Sequence, residues 1–114
     1  MTQYLLNFHH FPIPVDRKPS PSEMEAVNQQ WQHYIGGLAV QGKFVSTQRV
    51  EQAGSFVGPD GTLTDVVVEG KGLVVGNLTL QAKSLEEAIG LTAGCPILAM
   101  GGTVEVRPIA DFAL

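Results

Sequence analysis

The sequence predicts a single α+β domain, residues 1–114, in which two helices cover one face of an antiparallel sheet. Two capped helical segments and several segments of alternating polarity support this prediction. Their order is strand, helix, strand or hairpin, strand, helix, strand. This is the ferredoxin-like βαββαβ pattern of a two-layer sandwich, with an extra hairpin. A chain of 114 residues can build one such core without disulfides or metals.

The two helices are predicted from their N-terminal caps. Residues 20–23, Ser-Pro-Ser-Glu, form a capping-box pattern with proline at the first helical position, and residues 84–87, Ser-Leu-Glu-Glu, form a second. Gly42 and Gly94 are expected to end the two helices. An apolar stripe at helical spacing marks the buried side of the first helix: Met24, Val27, Trp31, Tyr34, Ile35 and Leu38.

The strands are predicted from alternating or extended apolar segments, which cover residues 4–9, 44–57, 63–68, 73–82 and 103–107. A Gly-Pro-Asp-Gly turn at residues 58–61 favours a hairpin there. A turn at Cys95-Pro96 and a double-glycine turn are expected before the last strand. The proline-broken segment 10–22 is expected to be a surface loop.

Residue parity divides the predicted sheet into an apolar face and a polar face. The helix side receives Tyr4, Leu6, Phe8, Val74, Leu78, Leu80, Val104 and Val106. The opposite face receives Asn7, His9, Asn77, Thr79, Gln81, Thr103, Glu105 and Arg107, with the apolar Leu5 and Val75 among them. The first strand is expected between the third and the last strand, so these polar residues become neighbours. This face either contacts water or lines a polar cavity between the sheets of a dimer.

Composition excludes several classes of protein. A net charge of −4 with no basic stripe argues against nucleic-acid binding. A single cysteine excludes an internal disulfide and fits a reducing cytosol. No apolar run has the length of a membrane span and no signal pattern begins the chain, so we expect a cytoplasmic protein without membrane contact. The chain carries no cofactor fingerprint.

His9 is the strongest acid–base candidate, because an imidazole exchanges protons near neutral pH. It shares a face with Asn7, and Glu105 is expected to approach it from a neighbouring strand. The alternative is a strand-end histidine hydrogen-bonded at the surface. Asp65 is the second catalytic candidate. No metal site is expected, because His9 and His10 point to opposite faces of a strand.

Three further residues each allow a structural and a functional interpretation. Trp31 is expected first in the core and second as a ligand platform. Cys95 is expected to be structural, because a preceding helix C-terminus disfavours its thiolate. Arg107 either binds an anionic ligand or pairs with Glu105 or Asp111.

The segment SLEEAIGLTAGCPILAMGGTVEVRPI at residues 84–109 resembles the YCII-related family, in its DGPF-type branch. The helix WQHYIGGLAVQGKFV and the strand YLLNF add to the resemblance, which covers most of the chain except the 10–22 loop. It implies a ferredoxin-like fold that pairs as a dimeric α+β barrel. The Asp-Gly-Pro-Phe signature is reduced here to Asp65, followed by Val-Val-Val. A His–Asp pair proposed in some relatives is replaced by Trp31 and Cys95.

Two classes of function follow from this resemblance and its departures. The loss of both motifs favours a non-catalytic homodimer that binds a small polar molecule or regulates a protein partner. DGPF-type relatives are linked with extracytoplasmic-function sigma factors, which implies a stress-related partner. The alternative is a small cofactor-independent isomerase or lyase that uses His9. A ligand is expected in the dimer cavity, and the predicted ligand-binding residues are Asn7, His9, Trp31, Asn77 and Arg107.

Overall fold

The computed structural model describes residues 1–110, which form six strands, three α-helices and one 3-10 turn. In chain order these are β1 (Thr2–His10), the 3-10 turn (Val15–Arg17), α1 (Pro21–Val40), β2 (Phe44–Arg49), β3 (Ser55–Val57), β4 (Leu63–Asp65), β5 (Leu73–Ala82), α2 (Leu85–Gly90), α3 (Pro96–Ala99) and β6 (Thr103–Pro108). This succession confirms the predicted α+β class.

Four strands form an antiparallel sheet in the order β2-β5-β1-β6. The first strand therefore lies between β5 and β6, as the ferredoxin-like pattern requires. The strands β3 and β4 pair with each other in a separate two-stranded sheet. The predicted hairpin is thus confirmed. Its second strand was predicted to extend to residue 68 but ends at Asp65, so residues 66–68 lie outside the observed strand.

The core lies between the helices and the apolar face of the sheet. Leu6, Leu78 and Leu80 are fully buried at its centre. The other members come from β1, β5 and the helical layer: Tyr4, Phe8, Tyr34, Leu38, Ala82, Ala88, Cys95 and Ile97. Removal of this apolar surface from water is the main favourable contribution to folding.

The first helix begins and ends as predicted. Ser20 Oγ accepts a hydrogen bond from the Glu23 amide at 3.2 Å, and Glu23 Oε1 accepts one from the Ser20 amide at 3.4 Å. These two bonds complete the capping box. The helix ends at Val40, and Gly42 follows with a φ of 71°, a left-handed conformation that favours glycine.

The second helical segment is shorter than predicted. Ser84 Oγ accepts from the Glu87 amide at 3.1 Å, so the cap is present. The Glu87 carboxylate binds Lys43 Nζ at 2.5 Å and the Lys83 amide at 3.3 Å, instead of closing the capping box. Helix α2 ends at Gly90, and Gly94, with a φ of 81°, ends the turn that follows.

Pro96 begins a helix where the sequence predicted only a turn. It occupies the first position of α3, where its missing N–H would have no helical partner in any case. The double-glycine turn comes next. A Cβ on Gly102 would lie 2.6 Å from both the His9 carbonyl oxygen and Ile97 Cγ1. Only glycine allows β1, α3 and the start of β6 to approach so closely.

A bulge reverses the predicted sides of Val74 and Val75. Phe8 pairs with Gly76 and His9 pairs with Val74, so Val75 is the inserted residue of β5. Because an extra residue shifts the two-residue alternation by one, Val74 is 40% exposed, while Val75 is half-buried and packs against the core. The assignment of Val74 to the helix side was therefore wrong, and so was that of Val75 to the open face.

Candidate functional site

The sheet face opposite the helices, here called the open face, carries a transverse row of polar side chains. Asn7 on β1 pairs with Asn77 on β5 and with Glu105 on β6, and Gln48 on β2 pairs with Asn77. Residues that pair across antiparallel strands have Cβ atoms about 4.5–5.5 Å apart on the same face. The row therefore places three amides and one carboxylate side by side.

Two side chains of β1 converge on one oxygen of Glu105. Asn7 Nδ2 donates to Glu105 Oε1 at 3.1 Å, and His9 Nε2 lies 3.5 Å from the same atom. We call Asn7, His9 and Glu105 the open-face cluster. The His9 side chain is 34% exposed and that of Glu105 is 47% exposed, so both remain accessible to a ligand in the isolated chain.

The surroundings of Glu105 favour its ionised form. The hydrogen bond from Asn7 is the main cause that lowers the pKa of this carboxyl, and the contact with His9 is the second. The charge of Arg107 adds to the effect, although burial opposes it slightly. At neutral pH the open-face cluster is therefore a carboxylate held between an amide donor and an imidazole.

Arg107 and Asn77 lie near the cluster without joining it by a hydrogen bond within residues 1–110. Arg107 pairs with Leu5, one row away from Asn7, and is exposed. No ion pair between Arg107 and Glu105 is present in that part of the chain, and the other predicted partner, Asp111, lies outside the described residues. The Asn77 side chain is half-buried, and its backbone carbonyl accepts from Thr47 Oγ1 at 2.9 Å.

Two predicted site residues lie elsewhere. Asp65 is on β4, and its Oδ1 accepts from the Val67 amide at 2.8 Å, closing a local turn. Trp31 is half-buried on the helix side, with its ring centroid 5.1 Å from that of Phe8. Within residues 1–110 neither side chain forms a hydrogen bond with His9. The structure thus brings His9 together with Asn7 and Glu105, while Asp65 and Trp31 lie apart from them.

His10 contributes a contact that sequence reasoning missed. Its Nδ1 lies 2.7 Å from the Phe11 carbonyl oxygen, and its Nε2 lies 2.9 Å from the carbonyl oxygen of Met100. The ring therefore connects the end of β1 to the turn before β6. Parity predicted only that His10 would point away from His9, because the identity of a distant carbonyl partner leaves no local pattern.

Cys95 and Tyr34 are buried in the helical layer, on the opposite side of the sheet from the open face. Burial raises the pKa of the Cys95 thiol, and the Ile97 amide opposes this only in part. Burial also raises the pKa of Tyr34, whose hydroxyl donates to the Leu91 carbonyl oxygen at 2.6 Å. Both groups are neutral at pH 7, which fits the structural role predicted for Cys95. The cause is burial rather than a helix dipole, since Cys95 precedes α3.

Residues 1–110 give little support for a metal site, a deep pocket or a membrane-spanning helix. No group of three or more His, Cys, Asp or Glu side chains is placed to hold a metal ion there. A groove of about 550 Å³ between α1 and the α2–α3 connection is shallow, and no Asp, Glu, Lys or Arg is in its lining: Ala26, Gln29, Gln30, His33, Gly94, Pro96 and Ala99. Within the same residues no helix is both long and apolar enough to cross a membrane. The cytoplasmic location stays a prediction.

The fold and the open-face cluster define a two-layer α+β domain of ferredoxin-like type with one uncovered sheet face. The family description that matches this chain is the YCII-related domain, over residues 13–113. The match spans most of the sequence, and the chain belongs to the YCII-related family. No curated protein matches it. The family resemblance is therefore confirmed, while the DGPF-type branch and the dimeric barrel stay predictions.

Proposed function

We propose that this YCII-related protein is a homodimer that binds a small polar molecule between its open face and that of a second copy. The observation that carries the proposal is the convergence of Asn7 and His9 on Glu105, on the sheet face that no helix of residues 1–110 covers. Binding sites combine a sheltered concavity with a few convergent polar groups. A second sheet placed over the open face supplies the shelter, and the open-face cluster supplies the polar groups.

The chemistry of the open face favours a ligand rich in hydrogen-bonding groups. The amides of Asn7 and Asn77 both donate and accept, Glu105 accepts, and His9 does either according to its protonation. Arg107, in the next row, adds a fixed positive charge. A ligand with a carboxylate or phosphate group next to hydroxyl or amine groups would satisfy both the cation and the cluster.

A second candidate function is catalysis, which the contact between His9 and Glu105 favours. A carboxylate beside an imidazole orients the ring and stabilises its protonated form, which is the arrangement of many general acid–base sites. Because Nε2 of His9 is directed at Glu105, Nδ1 is the nitrogen that takes a proton from one substrate carbon and returns it to another substrate atom. Such a step suits a cofactor-independent isomerase or lyase. Glu105, rather than the predicted catalytic candidate Asp65, is then the carboxylate that works with His9.

The test of binding begins with oligomeric state and a ligand screen. Sedimentation equilibrium is expected to show a dimer at micromolar concentration, and a thermal-shift screen of polar metabolites is expected to show stabilisation by at least one compound. His9→Ala and Arg107→Ala should each weaken that compound's binding. His33→Ala, an exposed histidine of α1, should leave it unchanged. If both His9→Ala and Arg107→Ala kept the full affinity of wild type, the ligand would bind at another site.

The choice between binder and enzyme needs a variant that keeps the shape of the site. His9→Gln retains a hydrogen-bonding side chain but cannot relay a proton. If the protein is an enzyme, this variant binds the compound found by the screen but no longer converts it. Asp65→Asn provides the matched control, because the carboxylate of Asp65 is engaged with Val67 and should be dispensable. If the protein only binds, wild type leaves the compound chemically unchanged, as followed by NMR.

A further role as a regulatory partner of another protein stays a prediction from the family resemblance. It requires no catalytic group and is compatible with a ligand that controls the partner. Co-purification with a sigma factor that depends on Arg107 or His9 would support it.

A further inference from the structure

The segment between β2 and β5, residues 50–72, forms an arm that extends from the four-stranded sheet. Its two strands pair only with each other, in register Ser55–Asp65, Phe56–Thr64 and Val57–Leu63. Three large apolar side chains are mostly exposed on it: Phe56 at 60%, Val57 at 71% and Leu63 at 64%. We call residues 50–72 the hairpin arm. Such a concentration of exposed apolar side chains on one short element marks an interaction surface.

The hairpin arm is an ordered element rather than an irregular loop. Asp60 Oδ1 accepts from the Thr62 amide at 3.0 Å, and the Gly58 amide donates to the Thr62 carbonyl oxygen at 2.7 Å. Gly61 adopts a φ of 85°, which the tight turn requires. Because successive strand residues alternate, Val57 and Leu63 share one face while Phe56 lies on the other. Each face of the arm therefore exposes at least one large apolar side chain.

The base of the arm is tied to the body of the domain. Gln52 Oε1 accepts from the Ile13 amide at 2.7 Å, and Gln52 Nε2 donates to the Ile13 carbonyl oxygen at 3.3 Å. The last ladder contact of the β2–β5 pair is the Val50 amide with the Val75 carbonyl oxygen, at 3.0 Å. These contacts fix where the arm leaves the sheet, which reduces the ordering cost of any association through it.

We propose that the hairpin arm packs against a second copy of this chain and completes the dimer that binds the ligand. An isolated two-stranded hairpin is marginally stable in water, so a formed arm that exposes apolar side chains on both faces implies a partner. The radius of gyration of 15.8 Å exceeds the value of about 13 Å for a compact domain of this length, which fits an arm whose strands pair only with each other. This inference rests on the dimer of the proposed function.

Interface area is the reason to choose a second copy as the partner. Four strands at a spacing of about 4.8 Å give the open face dimensions of about 19 Å by 25 Å, or roughly 500 Å². A stable interface buries about 800 Å² on each partner. The open face alone falls short of that area, and the hairpin arm continues directly from its edge strand β2. The apolar side chains of the arm supply the missing area and the apolar character that the polar open face lacks.

The first experiment compares arm variants with a matched control. Phe56→Thr, Val57→Thr and Leu63→Thr each keep a residue that favours strands while removing apolar surface. Each should raise the dimer dissociation constant roughly tenfold or more, as measured by sedimentation equilibrium. Val40→Thr removes an equally apolar side chain, 88% exposed on α1, and should leave the constant unchanged. Far-UV circular dichroism verifies that each variant keeps the fold.

An open-face variant, Thr79→Arg, separates failure of this inference from failure of the proposed function. Suppose that Thr79→Arg dissociates the dimer while the arm variants keep the wild-type dissociation constant. The proposed pairing through the open face is then supported, and the arm inference is overturned. If the arm variants dissociate it and Thr79→Arg does not, the arm inference stands and pairing through the open face fails. A wild-type monomer at micromolar concentration would overturn both.

A crosslinking experiment tests the arm contact directly. A benzophenone amino acid at position 56 is expected to form a covalent product of twice the chain mass after irradiation, since the arm lies against the other copy. The fragment pairs identified by mass spectrometry then define the surface it contacts. Crosslinks only within one chain would show that the arm packs on its own domain and would overturn the proposal.

Discussion

The two faces of the four-stranded sheet are built from the same strands but differ in every physical property. On the helix side Leu6 and Leu78 are fully buried. On the open face their chain neighbours Asn7 and Thr79 are half-buried and polar. Each strand therefore carries two alternating sets of side chains, of which only one stabilises the isolated domain. The other set is free to vary with function, because the core does not depend on it.

The difference also shows in how polar groups are satisfied. The open face leaves its amides at least partly accessible to water and its carboxylate exposed, and Asn7 donates to Glu105 within that face. In the helical layer the largely buried Tyr34 donates its hydroxyl to the Leu91 carbonyl oxygen. A hydrogen bond at the surface replaces one with water and adds little net stability, whereas a buried one prevents an unsatisfied group. Substitutions on the two sides should therefore have effects of different size.

The largest expected effect comes from neighbouring residues of β5 that face opposite ways. Leu78→Ala should lower the free energy of unfolding by about 2–5 kcal/mol, because it leaves a cavity at the centre of the core. Thr79→Ala, one residue further, should change it by about 0.5 kcal/mol or less. Urea denaturation of both variants in dilute solution makes the comparison. Equal losses would mean that the open face contributes to folding as much as the core does.

The next effect concerns the Tyr34 hydroxyl in the helical layer. Tyr34→Phe should cost about 1–2 kcal/mol of unfolding free energy, since it leaves the Leu91 carbonyl without its donor. Tyr4→Phe is the matched control, because the Tyr4 hydroxyl has no protein partner within residues 1–110. Thermal or urea unfolding measures both. A larger loss for Tyr4→Phe would contradict this assignment of the buried hydrogen bond.

The elements that sequence reasoning predicted correctly are those set by local chemistry. The cap of α1 at Ser20 and the full extent of β5, Leu73–Ala82, depend on residues within a few positions of one another. The apolar parity of β1 also predicted the correct face, because no bulge interrupts it before Phe8. Together these local signals sufficed for the fold class and for the grouping of Asn7, His9 and Glu105.

The elements that it missed depend on distant partners. Proline is compatible with both a helix start and a helix stop, so the helix at Pro96 depends on how α3 packs against the sheet. The reversal of Val74 follows from a bulge that only the pairing of β5 with β1 reveals. Similarly, no local pattern shows that Asp65, the second catalytic candidate, lies apart from His9. The β3–β4 pairing places Asp65 on a separate sheet from His9.

A smaller effect involves a carboxylate on the helical layer, Glu87. The hydrogen bond from Lys43 and then that from the Lys83 amide lower the pKa of Glu87 in the folded protein. A lowered carboxyl pKa contributes stability above the unfolded value, and this contribution is lost as the pH falls through the folded value. Wild type should therefore lose stability as the pH falls below about 4.5, the ordinary pKa of this carboxyl.

Glu87→Gln should flatten this acid dependence while lowering stability at neutral pH, as followed by urea denaturation at several pH values. Glu86→Gln, on the exposed side of α2, is the matched control and should retain the wild-type dependence. If Glu87→Gln lost stability at acid pH as wild type does, other carboxylates would be the cause of that loss.

The smallest effect tests the open-face cluster itself, by comparing the two asparagines that pair with each other across β1 and β5. Asn7 Nδ2 donates to Glu105, whereas Asn77 lies two strands from β6, about 10 Å away. Because a hydrogen bond to the ionised form lowers a carboxyl pKa, Asn7→Ala should raise the pKa of Glu105 toward its ordinary value. Asn77→Ala should leave it unchanged. Carbon NMR of the Glu105 carboxyl during a pH titration measures both, and an equal rise in the two variants would show that the row acts as a whole rather than through Asn7.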